Sequence, residues 1–382
     1  MKPIVVLGSG LAAYTLVREL RKLDAQRPVT LLTRDSADYY SKPMLSNGLA
    51  QQKTAAALVL TPAAGIADQL GLKLHAHCDV NAINPAAHTI NTTVGTIEYE
   101  KLVLAIGADP IRIALEGDAS DRVLSVNGLD DYARFREALT GSRSVAIMGG
   151  GLIGCEFAND LAAAGYCVDV IDPGPYPLAS LMPEAAGTQL LAPLAALGVN
   201  WHFGTSIKSM DSRPDGYQLT LNDGSALQTN LVLSAVGLKP RTMLAQQAGL
   251  LTGRGIVVDS LLRSSDPDIF ALGDCAEING RVMPYVLPLM QSARALAHTL
   301  AGKETPVDFP VMPVAVKTPA HPIAIVPVAR DAVGEWHTFD TGDGIKMGFF
   351  DGANVLQGFV LTGHFAAERN ALAKQVGHLL KA

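Results

Sequence analysis

The sequence predicts an α/β fold: two doubly wound units built on parallel sheets, followed by a small C-terminal α+β domain. Three observations predict it. An apolar run, a glycine-rich turn and an amphipathic helix follow one another at the N-terminus, and the same succession returns near the middle of the chain. Each copy then passes through an alternating hairpin into an apolar stretch that ends Ala-x-Gly. Beyond about Pro313 that pattern stops, and prolines with short strand-like pieces take over.

The elements follow in order. Residues 4–7 are continuously apolar, as a strand covered on both faces must be. The helix after the turn repeats Ala13, Leu16, Val17 and Leu20 at helical spacing, and residues 29–32 read as the next strand. The second copy places a strand at 145–148, a turn at 149–154, a helix at 156–164 and a strand at 168–171. Residues 88–99 and 218–227 alternate apolar and polar side chains around glycine turns, as hairpins do. The apolar stretches 102–107 and 231–237 close the two copies. After Leu238-Lys239-Pro240 no third copy begins. A helix is expected at 289–300, following Pro288. The last part contains Pro313, Pro319, Pro322 and Pro327, strand-like segments at 347–350 and 358–361, and a helical pattern at 366–380. The expected domains are 1–113 with 238–312, an insertion at 114–237, and 313–382.

The two turns carry the chemistry. Gly8, Ser9, Gly10, Leu11, Ala12 and Ala13 follow a strand and open a helix. The first glycine permits a tight turn, and the second lets a pyrophosphate approach the backbone. Ala13 in third place still allows helix and strand to pack closely. The free N–H groups of the helix N-terminus then face the anion. An acidic residue should end the second strand to hold a ribose, but Asp35 lies beyond the usual point. Thr33 and Arg34 are therefore expected to hold it. The second turn is fuller: Gly149, Gly150, Gly151, Leu152, Ile153, Gly154, then Glu156 in the helix, with Asp172 ending the next strand. A carboxylate there accepts from a ribose 2′-OH and repels a 2′-phosphate, which favours NADH over NADPH. The first turn fits a permanently bound FAD and the second an exchanging NADH. The segment 269–274 is a strand ending Gly-Asp, and Asp274 can meet ribityl hydroxyls of the same FAD.

Composition narrows the field. Hydrophobic residues make up 48%, charged residues 17%, and the net charge is −6. Nucleic acid is an unfavourable partner for such a surface. Cys78, Cys155, Cys167 and Cys275 show no metal-cluster or disulfide spacing, and each is expected to be a small buried residue. The nine histidines form no metal motif, and His75 and His77 are expected to alternate on a strand in a structural role. No apolar stretch reaches the roughly 18 residues that a membrane helix needs. The first residues run straight into a strand, so no signal peptide and a cytoplasmic location are expected.

With these pieces in place, the chain resembles the pyridine-nucleotide–disulfide oxidoreductase superfamily over nearly its full length, and within it the branch that reduces rubredoxin. The strings that carry the resemblance are Ser41-Lys42-Pro43-Met44-Leu45-Ser46, the run from Gly151 to Leu161, Ala271-Leu272-Gly273-Asp274-Cys275-Ala276-Glu277 and Val316-Lys317-Thr318-Pro319. It implies a fold of glutathione-reductase type, with a NADH domain inserted into a FAD domain. It implies FAD contacts at residues 9–12, Thr33, Arg34, Lys42, Val80, Asp274, Val286 and Lys317. Further cofactor contacts are expected at Pro43, Ala105, Gly107, Val236 and Gly237.

The redox cysteine pair of the disulfide-reducing members is absent, so electrons are expected to leave the flavin directly. Lys42 and Lys317 are the expected cations beside it, and Lys42 is expected to pair with Glu156 across the ring. The helix at 289–300 is a candidate to aim its dipole at the flavin. The implied acceptor is rubredoxin, a small acidic electron-transfer protein, in alkane hydroxylation or oxidative-stress defence. A ferredoxin reductase or a flavorubredoxin reductase would share both turns. An NADH oxidase or peroxidase is disfavoured, because residues 41–46 contain no cysteine. A monomer is expected.

Overall fold

The structure, a computed structural model, describes residues 1–329 and 331–376. Its first sheet is wholly parallel, in the spatial order Ile269–Ala271, Lys101–Leu104, Ile4–Leu7, Val29–Leu32, Lys73–His75. Every side chain of Ile4–Leu7 and Val29–Leu32 is buried, which explains why these strands read as apolar runs. Helix Leu11–Leu23 crosses between them and buries Ala13, Leu16, Val17 and Leu20, the predicted face. It packs against the long helix Val286–Leu300, whose Ala293 and Ala297 are fully buried. That helix starts three residues earlier than the sequence suggests. Pro288 falls in its first turn, where a missing N–H costs nothing.

The second sheet repeats the design: Val199–Phe203, Cys167–Asp172, Ser144–Met148, Leu231–Ser234, all parallel. Its crossover helix is Leu152–Ala163, so the helix begins inside what the sequence presents as turn. Each expected hairpin gains a third strand in front. Val80–Asn84, Thr89–Thr92 and Gly95–Glu98 form one antiparallel meander, and Ile207–Arg213, Gly216–Leu221 and Ala226–Thr229 form the other. Each Ala-x-Gly end leads into a two-stranded ribbon, where the Arg241 amide donates to Gly107 O and the Ile111 amide to Gly237 O. Just beyond them, Ala108–Pro110 pairs antiparallel with Leu238–Pro240, so both passages between the sheets run through one short ribbon.

The C-terminal part is a five-stranded antiparallel sheet in the order Val314–Val316, Ile323–Val326, Leu356–Thr362, Ile345–Phe350, Glu335–Thr341. The closing helix is shorter than the pattern suggests: a 3-10 turn at Gly363–Glu368, then helix Arg369–Ala373. Residues 377–380 of that expected helix lie outside the described residues. Two other expectations need correction. Cys167 is exposed at the start of its strand, while Cys78, Cys155 and Cys275 are buried. His77 leaves the strand and takes a left-handed backbone (φ 50°), so it does not alternate with His75.

The packing crosses the sequence blocks. One core fills the first sheet and its helices. The second core joins Leu45, Leu49 and Leu58 to the helices of the inserted unit and to Val316, Ile323, Ile325 and Val360 of the C-terminal sheet. Among the described residues no helix is long and apolar enough to cross a membrane.

Candidate active site

Each glycine turn is shaped by the strand beside it. Gly8 (φ +112°) and Gly149 (φ +102°) hold a backbone that L side chains rarely adopt, and a Cβ on either would collide with a carbonyl oxygen, of Ala105 and Ala235 respectively. The Ala-x-Gly echo thus forms the wall behind each turn, with Gly107 (φ +70°) and Gly237 (φ +109°) turning the chain away. A Cβ on Gly10 or Gly151 would meet nothing within 4 Å, so open space lies in front of both turns. Neither helix has a side-chain cap at its N-terminus, and the first-turn N–H groups stay available to an anion. Ala13 and Gly154 are buried at equivalent helix positions. Leu11 is half-buried, Ala12 is buried, Leu152 is half-buried and Ile153 is exposed.

The acidic partners follow. Asp35 lies past the strand end but folds back. Its Oδ1 accepts from Ser9 Oγ (2.6 Å), Thr33 Oγ1 (2.8 Å) and the Ala37 amide (3.0 Å). The displaced acid therefore reaches the first turn, where Thr33 was expected to act alone with Arg34. Arg34 points elsewhere, to Asp109 (3.2 Å), which also holds Arg241. Those two guanidiniums, Arg241 foremost, hold the Asp109 carboxyl below the usual carboxylate range. Asp172 accepts from the Gly150 amide (2.5 Å) and the Gly174 amide (2.6 Å), which aim it at the second turn.

The lysines do not pair as expected. Lys42 opens a 3-10 turn, Lys42–Asn47, and its nearest carboxylate is Asp274 at 3.9 Å. Burial lowers its pKa, with Asp274 acting against that shift. Glu156 is fully buried and its partner is Lys317, not Lys42. Its Oε1 accepts from the Lys317 amide (2.9 Å), and its Oε2 from Ser46 Oγ (2.6 Å) and the Lys317 ammonium. Lys317 Nζ also donates to Pro43 O (2.8 Å) and Ser46 Oγ (2.9 Å). An ammonium has three N–H groups, and all three are spent. The reason for the exchange is topological: Lys317 directly follows strand Val314–Val316 of the C-terminal sheet and meets Glu156, the fifth residue of helix Leu152–Ala163, through both its amide and its ammonium.

Sequence reasoning gave no role to three residues that this site uses. Ser46 stands inside a quoted string, and Asn159 and Asp160 lie one turn beyond Glu156 on the same helical face. Their signal was three polar residues at i, i+3 and i+4 on an otherwise apolar helix. Ala105 is buried behind Gly8, Val80 and Val236 are half-buried, and Val286, at the start of its helix, is 36% exposed. His321 is buried with Nε2 unpartnered, and burial lowers its pKa. Among the described residues no cluster could hold a metal ion.

The residues fit the two dinucleotides. Open cradles face free helix N-termini, a carboxylate stands beside each, and a lysine with donors to spare lies near Asp274.

Two family models match the chain. One, described as pyridine nucleotide-disulphide oxidoreductase, covers residues 2–298; the other, described as rubredoxin binding C-terminal domain, covers 306–376. The chain is 46% identical over 377 residues to a rubredoxin-NAD(+) reductase of Alcanivorax borkumensis, covering 98% of this chain and 99% of that one. It is 44% identical over 391 residues to a rubredoxin-NAD(+) reductase of Acinetobacter baylyi, covering 100% of both. The fold is similar to the ferredoxin reductase for the CYP199A2 system from Rhodopseudomonas palustris, with a TM-score of 0.88, 24% identity, and 99% and 96% of the two chains covered.

Proposed function

The chain belongs to the pyridine nucleotide-disulphide oxidoreductase family, and on that premise we propose that it is a FAD-dependent reductase that takes a hydride from NADH and delivers electrons singly to rubredoxin. Its cofactors are FAD and NADH. One observation carries the reading: two dinucleotide turns and a segment matching the rubredoxin-binding family lie in one chain that covers its rubredoxin-reducing relatives end to end.

FAD, when bound, accepts the hydride and lets the pair of electrons leave one at a time. The rest is the work of this chain. Gly8 to Ala13 would cradle the FAD pyrophosphate, with Ser9, Thr33 and Asp35 beside its ribose. Val80, Ala105 and Gly107 would line its adenosine side, and Pro43, Asp274 and Val286 its far end. Gly149 to Gly154 would seat the NADH pyrophosphate, Asp172 its ribose, and Val236 and Gly237 its nicotinamide side. Lys42 keeps free donors and is the cation best placed to stabilise negative charge on the reduced cofactor. Lys317 neutralises Glu156 and closes the site from the C-terminal side. We place the domain limits at 1–113 with 238–312, 114–237 and 313–382, and the site of action in the cytoplasm.

The test is NADH oxidation measured in parallel with purified rubredoxin, ferredoxin and oxygen. Rubredoxin is expected to give the highest turnover. Faster turnover with ferredoxin, or with oxygen alone, would assign the chain to another acceptor.

A further inference from the structure

The lysine turn belongs to the FAD-binding part by sequence, yet it is held by residues of the inserted unit. Ser46, at its end, bonds Glu156. Asp160, one helical turn later, accepts from two successive amides just past the turn: Leu49 N–H to Oδ2 (2.9 Å) and Ala50 N–H to Oδ1 (3.0 Å). Farther along, the hydroxyl of Tyr132 donates to Lys53 O (3.0 Å), and Arg136 donates to the same carbonyl (2.5 Å). Both lie on helix Leu129–Ala138 of the insertion. The apolar side chains agree: Leu45 and Leu49 are buried in the core of the insertion, beside Tyr132 and Phe135. On the opposite side, Asn159 Oδ1 accepts from the Ala320 amide (3.0 Å), so the same helix face also holds the segment that carries Lys317.

We propose that Asp160 is a positioning residue for Lys42: its carboxylate, seconded by Tyr132, clamps residues 46–53 to the NADH-binding unit and thereby fixes where Lys42 meets the flavin. The proposal rests on the reading that Lys42 faces FAD. A lysine on a free loop would sample many rotamers and positions, and each would dilute its field at the cofactor. Two bonds from one carboxylate to adjacent amides, at Leu49 and Ala50, anchor the chain just beyond the 3-10 turn that Lys42 opens. Asp160 is itself almost wholly buried, and burial raises its pKa, opposed by the Leu49 and Ala50 amides and by Lys317 and Arg136. A carboxyl with a raised folded pKa adds stability below its unfolded pKa and loses that contribution as pH rises through the raised value. A neutral Asn at this place is therefore expected to keep the fold at neutral pH while losing one of the two amide bonds, since its NH₂ cannot accept.

The test compares D160N, Y132F and K42M in the FAD-loaded protein, reading flavin midpoint potential, visible spectrum, thermal midpoint and the rate of flavin reduction by NADH. Misplacement by an ångström can cost on the order of 100-fold, so a slackened clamp is expected to cost about tenfold in that rate. D160N should shift the potential in the same direction as K42M, by less, at a lowered thermal midpoint that still leaves the protein folded at the assay temperature. Y132F should do so more weakly, and it carries the test if D160N fails to fold. A potential shift with K42M but none with either clamp variant overturns the proposal. No shift with K42M overturns the Lys42 reading on which it rests.

Discussion

Glu156 is fully buried, with both oxygens filled by Lys317 and Ser46. Removing one partner of such a pair leaves the other charge uncompensated, which typically costs about 3–5 kcal/mol. Lys317 is 31% exposed, so water softens the loss. K317M is expected to lower stability by about 3 kcal/mol in urea unfolding at pH 7. E156Q should cost less, because the amide carbonyl still accepts from the Lys317 amide; equal stability for K317M and wild type would show the pair to be worth nothing. The three site residues Lys42, Glu156 and Lys317 were legible as chemistry, since each sits in a cofactor string. Their pairing was not. Which lysine reaches Glu156 depends on where the strand Val314–Val316 crosses the helix Leu152–Ala163, a contact that local sequence does not encode. Asp35 fell to the same limit: its number places it beyond the strand, but the backbone turns it back onto Ser9.

At the level of elements, two glycines of the first turn make opposite predictions for one kind of substitution. G10A adds a methyl group where nothing lies within 4 Å, so the fold should survive and FAD content should fall. G8A drives a Cβ into the Ala105 carbonyl at positive φ, so the apoprotein itself should unfold more readily. Equal thermal midpoints for the two apoproteins, together with full FAD content in G10A, would break the assignment of the cradle. At the second turn, D172A should raise the KM for NADH and narrow the preference over NADPH; an unchanged ratio would remove Asp172 from the ribose site. Strands 4–7 and 29–32 were readable because burial on both faces leaves only apolar choices. The third meander strands were not, since half-exposed Val80–Asn84 carries no such constraint. Among the described residues the closing helix is confined to Arg369–Ala373, because the chain before it turns in a 3-10 segment that buries Phe365 and Ala366.

Taken as a whole, the molecule is stitched rather than modular. The second core draws on residues 45–58, on the insertion and on the C-terminal sheet, so helix Leu152–Ala163 touches both the lysine turn and the segment that carries Lys317, inside the stretch matched by the rubredoxin-binding model. Duplication made two dinucleotide units visible from sequence alone, whereas the stitching arises from contacts between distant segments. The net charge of −6 leaves docking of an acidic partner to a local basic surface. Raising ionic strength should then lower the apparent second-order rate with rubredoxin, whereas a rate indifferent to salt would exclude electrostatic docking. The most direct test of the central claim is anaerobic rapid mixing of the NADH-reduced, FAD-loaded protein with oxidised rubredoxin. Rapid reoxidation of the flavin is expected, with two rubredoxins reduced for each NADH consumed. Flavin that stays reduced in the presence of rubredoxin would contradict it.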